Sequence, residues 1–525
     1  MAHCLRGLLA ALGQSDPAAV KACLAAAERE LQTVLAAEGG EGGGVEEKRQ
    51  AERERVFAAT LRAWSAGRWR QGALHLETWL MSAPVDLPAL KLAQDAHLTL
   101  GDSANVRDCV GRVLPFWSEA TFGYRNVLGM HAFGLAENGA YTQAEEQADM
   151  ALSLTTMIPQ IPDIWSLHAM AHVYEMEARA SEGCSFLIDC RDKWEDRDGP
   201  LQQHMAWHLG LFSLERGQEA RATRVFDTLL SPPREGGRPD GDLLVPPPAP
   251  FALTDASSLL WRMDILGVET GAARWGGVAE AWLHHEQVRH LSTFHDLHAV
   301  MAFAAMANGV ESDAEAELWQ ARTRGLLESM RDYVRSEGGQ QADASRSPAA
   351  AEAAAAAPPS AAPPDAVELH SFPIGRDRPA RRGVLSAATT AAAVGEGGAS
   401  CPDNLWVAEH VGLPLCEAFV AYRGGDFEQA ISLLLPLRYH VGAIGGSRAQ
   451  QDVVHLTLLD AAMRLPEQAI ARTLVSERRL QRPTSGRAWE AYATVMEKNG
   501  RMREAFEAQK IAFEFGIGQG GVGAA

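Results

Sequence analysis

The chain lacks long apolar runs. No stretch approaches the ~20 residues that a membrane-spanning helix needs, and the run from Leu8 to Leu12 is too short for the core of a secretory signal. Basic residues are scarce beside acidic ones: 48 Lys and Arg face 67 Asp and Glu, a formal net charge of −19. That balance argues against general nucleic-acid binding and against docking on anionic membranes. The seven cysteines are odd in number and form no Cys-x-x-Cys pair. A disulfide framework is therefore not expected, and a reducing, cytoplasmic setting is. Also missing are a Gly-x-Ser-x-Gly elbow, a phosphate loop ending in Lys-Ser/Thr, a dinucleotide fingerprint after a strand and a His-Glu-x-x-His string. Aromatics make up only 7% and β-branched runs are thin, while the hydrophobic content reaches 46% with abundant Ala and Leu. This composition favours helices around a large core.

What the chain has is self-similarity. Small residues recur with the same two gaps: Ala132, Ala144 and Ala151; Ala171, Gly183 and Cys190; Ala302, Ala314 and Ala321; Ala493, Ala505 and Ala512. Gly210 with Ala222, and Ala418 with Ala430, keep the first gap. Helices that cross at short distance leave no room for a long side chain at the crossing. Turn signals fall between the paired helices: Gly101-Asp102, Asn138-Gly139, Gly424-Gly425-Asp426 and Asn499-Gly500. Glycine there supplies a left-handed C-cap. This is the spacing of a tetratricopeptide repeat, two antiparallel helices in about 34 residues.

The expected fold is all-α, a tetratricopeptide-like helical-hairpin solenoid with a disordered insertion. Residues 1–56 read as a helical leader with a Gly-rich break, and 57–335 as the first part of the array. A Pro/Gly-rich loop at 231–250 interrupts that part. Residues 336–400, rich in Ala, Pro, Gly and Ser, read as the disordered insertion, because they lack the large apolar side chains that offset ordering entropy. Residues 401–516 resume the array, and 517–525 form a flexible tail.

Several strings resemble the tetratricopeptide repeat protein 38 family. They are Pro84-Val-Asp-Leu-Pro-Ala-Leu-Lys-Leu-Ala-Gln-Asp-Ala-His97, Gly129-Met-His-Ala-Phe-Gly-Leu-Ala-Glu137, Trp165 to Met176, Phe294-His-Asp-Leu-His-Ala-Val-Met-Ala-Phe303, and Ile444-Gly-Gly-Ser-Arg-Ala-Gln-Gln-Asp452. The resemblance implies a helical repeat solenoid in the cytosol. It implies no activity and transfers no catalytic residue. The segments Ser231 to Pro250 and Ser336 to Ser400 depart from the family pattern as insertions.

Three constellations are candidates for chemistry. His168 and His172 stand one helical turn apart, and Glu175 continues their face. His204 and His208 are also one turn apart on the next repeat's first helix. The two faces can meet, with Trp165 and Trp207 beside them. Two His pairs and a carboxylate suit a transition metal, but they suit a hydrogen-bonded groove as well. No metal and no cofactor is assigned, and His168, His172, His204 and His208 are the ligand candidates should an ion bind. The second constellation is His290, His295, Asp296 and His298, of which His298 is retained as a groove residue. In the third, Ser447 N-caps a helix after Gly445-Gly446, and Arg448, Asp452 and His455 follow. Such a helix start can receive a carboxylate or phosphate.

The function expected first is a scaffold whose concave groove binds a peptide or protein partner through these residues, with no nucleic-acid or membrane partner. The alternative is a small-molecule or metal-binding protein, or an enzyme, that uses a histidine-rich pocket.

Overall fold

The computed structural model describes residues 1–13, 17–38, 44–157, 163–195, 200–232, 248–286, 289–345 and 403–517. Among them there is no strand. Two compact units divide the chain: residues 1–333 with 402–525, and residues 334–401. The first unit carries the helical hairpins.

The chain opens with α1 (Ala2–Leu12) and α2 (Pro17–Glu38). Helical hairpins then succeed one another: α3 (Val45–Ser65) with α4 (Trp69–Ser82), α5 (Leu87–Thr99) with α6 (Ser103–Val113), α7 (Tyr124–Glu137) with α8 (Tyr141–Met157), and α9 (Ile164–Met176) with α10 (Ala180–Asp189). After a short α11 (Arg191–Trp194) come α12 (Pro200–Glu215) with α13 (Glu219–Val225), α14 (Pro250–Ile265) with α15 (Gly271–Leu283), and α16 (Thr293–Gly309) with α17 (Asp313–Ser345). The later stretch holds α18 (Asp403–Val407), α19 (Leu413–Arg423) with α20 (Phe427–Leu437), α21 (Arg448–Arg464) with α22 (Ala469–Gln481), and α23 (Gly486–Lys498) with α24 (Met502–Glu514). This is a tetratricopeptide-like array of helical hairpins.

The small residues sit where helices cross. Ala132, Ala144, Ala151 and Ala171 are wholly buried. A Cβ on Gly183 would lie 2.6 Å from the ring of Phe212, so α10 meets α12 only because that position is bare. The third triplet is corrected. Ala302 is buried, but Ala314 and Ala321 are exposed. On α17 the long side chains Trp319, Leu326, Leu327 and Met330 are buried instead. Helix α17 is therefore turned so that bulk rather than close approach fills the contact.

The leader is not separate from the array. Helix α3 runs through the expected boundary at 56/57, and Phe57 and Leu61 share one core with Cys4 and Leu8 of α1. Likewise α17 continues to Ser345, ten residues into the segment read as the start of the insertion. The rest of that insertion, most of the 231–250 loop and the last eight residues lie outside the described residues.

The later stretch folds back on the earlier one. Gly101 takes a φ of +67°, and a Cβ there would sit 1.9 Å from the Gly442 carbonyl oxygen. A Cβ on Gly445, at φ +83°, would lie 2.4 Å from the Thr99 oxygen. The turn after α5 thus seats against the segment leading into α21. From there α21 runs across the first helices of the earlier hairpins. Arg262 of α14 donates to the Ala449 oxygen at 2.8 Å, and Trp261 donates to Thr457 Oγ1 at 2.9 Å. The face expected to line an open groove is covered by a helix of the same chain. Among the described residues no helix is long and apolar enough to cross a membrane.

Candidate metal centre

Helix α9 begins where Asp163 accepts from the backbone N–H groups of Trp165 and Ser166, an N-cap. It approaches α7 closely, since a Cβ on Gly129 would lie 2.4 Å from Ser166 Oγ. Two turns of helix then present His168 and His172 on one side. Helix α12 packs alongside and presents His204 and His208 in the same way. The four rings close into a cycle with centroid separations of 4.5 Å (His168–His172), 4.7 Å (His172–His208), 4.8 Å (His208–His204) and 4.9 Å (His204–His168). One nitrogen from each lies within 4.8 Å of the others. His168 Nε2 and His172 Nε2 are 2.9 Å apart.

Two carboxylates stand behind the rings. His204 Nδ1 is 2.8 Å from Asp255 Oδ2 of α14. His172 Nδ1 lies 3.1 Å from Glu137 Oε1, at the end of α7, near enough to pair but not aligned as a hydrogen bond. Both carboxylates are buried, and each is held from the other side by the start of α21. The Arg448 backbone N–H donates to Glu137 Oε2 at 2.8 Å. The Gln450 side chain donates to Asp255 Oδ1 at 3.1 Å. A ligating histidine commonly hands its second ring N–H to such a carboxylate, which fixes the ring's orientation.

Around this polar knot the walls are aromatic. Trp207 stacks on His204 at 5.0 Å and 17°, Phe133 meets His172 edge-on at 5.0 Å, and Phe251 lies 5.3 Å from His204. His172, His204 and His208 are buried, whereas His168 keeps partial exposure. His208 is wholly buried and neither of its ring nitrogens has a hydrogen-bond partner. Burial first, and the neighbouring imidazoles second, hold His168 and His208 far below the usual histidine range, so both rings are neutral at pH 7. A neutral imidazole is the form that binds a metal.

The other candidates fall elsewhere. Glu175 does not join the histidines: it pairs with Arg482 at 3.2 Å. Trp165 is half-buried against the N-terminal core, with the Lys91 ammonium 5.3 Å from its ring. His298 lies in the core of α16, where Nδ1 donates to the Phe294 oxygen at 2.7 Å. Ser447 caps α21 in a capping box with Gln450. The anion received at that helix start is the chain's own Glu137 rather than a ligand. Asp452 is clamped by both terminal nitrogens of Arg478, at 2.8 and 2.9 Å. His455 is exposed and stands apart from the four histidines. Helical spacing marks neither Glu137 nor Asp255. Asp255 has one signal in the sequence, as the lone charge in Phe251-Ala-Leu-Thr-Asp-Ala-Ser-Ser-Leu-Leu-Trp261. Glu137, beside the turn Asn138-Gly139, has none.

No family model matches the chain. Among solved structures it is similar to the human IFIT1 dimer with PPP-AAAA, at 12% identity and a TM-score of 0.28, over 89% of this chain and 91% of that one. It is also similar to a monomeric mutant of IFIT1 with m7Gppp-AAAA, at 10% identity and a TM-score of 0.29, over 89% and 90%. The exclusion of nucleic acid drawn from net charge is corrected by this finding, since those chains are solved with nucleic-acid ligands. A charge summed over a whole chain does not describe any one surface. Likeness at this level does not assign a ligand to this chain.

Proposed function

We propose that the chain is a metal-binding helical-repeat protein that holds one first-row transition ion, zinc foremost, between His168, His172, His204 and His208. The observation that carries this reading is His208, a wholly buried imidazole with neither nitrogen satisfied, facing three other imidazoles. An unmade buried hydrogen bond costs about 1–3 kcal/mol. A zinc–nitrogen bond of about 2.0–2.1 Å answers that cost. A tetrahedral ion sets its four nitrogens about 3.3 Å apart, and the nitrogens here lie within 4.8 Å of one another. Small side-chain rotations suffice to close on it.

Charge supports the same reading. Imidazole ligands bring no charge of their own to offset a dication, and the carboxylate side chains of Glu137 and Asp255 stand directly behind them. With all four nitrogens engaged the site is of the closed kind, which serves folding rather than turnover. It would tie α9 to α12 directly and, through the two carboxylates, to α7, α14 and α21.

Peptide capture in an open groove has less support, because α21 lies over the face that would receive the peptide. Kinship with the tetratricopeptide repeat protein 38 family rests on the quoted strings. A reducing compartment such as the cytoplasm is supported by Cys4, Cys23, Cys109, Cys184, Cys190 and Cys416, which are all free thiols.

The test is elemental analysis of the purified full-length protein, with cobalt(II) titration after chelation. We expect about one equivalent of bound metal and the visible bands of tetrahedral cobalt(II). Both should vanish in the His204→Ala/His208→Ala variant. A folded wild-type chain that neither carries metal nor takes up zinc or cobalt at micromolar concentration overturns the reading.

A further inference from the structure

Beside the imidazoles, one to two helical turns further along the same helices, lies a second feature that the metal centre does not use. It is a cavity of about 320 Å³. Glu175 follows His172 on α9, Leu211 and Glu215 follow His208 on α12, and Arg262 follows Asp255 on α14. The apolar part of the wall comes from Leu211, Leu214, Ile265, Leu456, Leu459 and Met463. That volume is at the small end of ligand pockets.

The charges along this wall are unequal in how they are met. Arg478 is paired with Asp452, Arg482 with Glu175, and Arg487 with Glu490 and Glu219. Arg262 is different. It is 5% exposed, and its guanidinium donates to the carbonyl oxygens of Ser258, Ala449 and Gln450. No carboxylate lies within ion-pair distance of it among the described residues. Burial lowers its pKa to about 10, so it stays charged at neutral pH. Asp452 and Glu175 act on it only from beyond ion-pair distance, opposed by Arg482 and Arg478. A buried cation without a direct partner is costly, and an anion entering the cavity would supply one. Glu215 faces the same space. It accepts from Ser485 Oγ at 2.6 Å and from the Arg487 N–H at 3.2 Å, and burial pushes its carboxyl toward the neutral, proton-bearing form.

We propose that this cavity binds a small amphipathic carboxylic acid, its carboxylate on the Arg262 guanidinium and its hydrocarbon body against Leu211, Ile265, Leu456, Leu459 and Met463. The ligand is a monoanion: one guanidinium is unpaired, while Glu175, Asp452, Asp460 and Glu490 also line the wall and would repel a dianion. Guanidinium and carboxylate match as a planar fork. The inference goes beyond the metal reading and does not depend on it.

Isothermal titration of the full-length protein with decanoate tests it, run both with zinc and after chelation, with decanol and decyl phosphate as comparison ligands. Decanoate should bind in both metal states, and at least about tenfold more tightly than decanol, the value of one charge-assisted contact. Decyl phosphate should bind no more tightly than decanoate. Arg262→Met should weaken decanoate at least about tenfold. Should that variant fail to fold, Leu456→Trp fills the cavity from its apolar side and should abolish binding in a folded protein. Equal affinity for decanoate and decanol, tighter binding of decyl phosphate, undiminished binding in Leu456→Trp, or no binding of decanoate to wild type overturns the proposal. Loss of metal with retained decanoate binding would fault the metal reading alone.

Discussion

At the scale of single residues, one substitution should act with opposite sign in two metal states. His208→Leu removes two unsatisfied buried nitrogens, so in chelated protein it should raise stability by about 1–3 kcal/mol. In zinc-loaded protein the same change should lower stability, because it removes a ligand. Urea unfolding in the two states measures both, and a histidine serving only as packing would give the same sign in each. Asp255→Asn keeps the shape but loses the charge behind His204, and should weaken zinc affinity about 10–100-fold by competition titration. The four histidines are legible in the sequence, because a spacing of four residues on a helix fixes a shared face. Their carboxylates are not. Glu175 continues that face in sequence, yet a tertiary ion pair with Arg482 draws it away, and Glu137 reaches the site from a different hairpin.

At the scale of helices the small-residue spacing reports real crossings wherever both helices bury backbone-close faces, as at Ala132, Ala144 and Ala171. It fails on α17, where nothing in the spacing tells that Trp319 and Leu326 take the contact instead. Gly183→Val should cost about 1–3 kcal/mol, read from the denaturation midpoint, because even a Cβ there would stand 2.6 Å from the fully buried ring of Phe212. Helix α16 gives a pH dependence. Burial lowers His298 to about 4, and its Nε2 has no partner. Facing charges come from Asp255 and Arg262 of α14, with His295 on α16 itself. The unfolded chain takes up a proton near pH 6.5 that the folded chain refuses until about 4. Stability is therefore full above pH 6.5 and falls as pH drops through that window, on the order of 3 kcal/mol for this one group. His298→Met should lessen that slope by about one proton, roughly 1.4 kcal/mol per pH unit between pH 6.5 and 4.5, with His295, His168 and His208 keeping the remainder. An unchanged slope would contradict the assignment.

At the scale of the first unit the governing event is the return of the later stretch. Sequence patterning shows hairpins on both sides of residues 336–400, but it cannot show that α21 lies across the earlier ones. That placement rests on side-chain contacts between residues some 190 to 310 positions apart, such as Gln450 with Asp255 and Arg448 with Glu137. It turns an expected open groove into an enclosed interior, and it would make an ion held at the proposed site and α21 mutually dependent. Zinc at 100 times its dissociation constant should stabilise the unit by about 2.7 kcal/mol. Amide exchange in residues 448–464 should slow with it.

X-ray absorption at the metal edge of the zinc-loaded full-length protein puts the four-histidine site to its sharpest test. Four imidazole ligands predict a first shell of nitrogen alone at about 2.0–2.1 Å, with the outer scattering of the rings behind it. A shell containing sulfur, a shell mainly of oxygen, or a spectrum unchanged in the His204→Ala/His208→Ala variant would contradict that site.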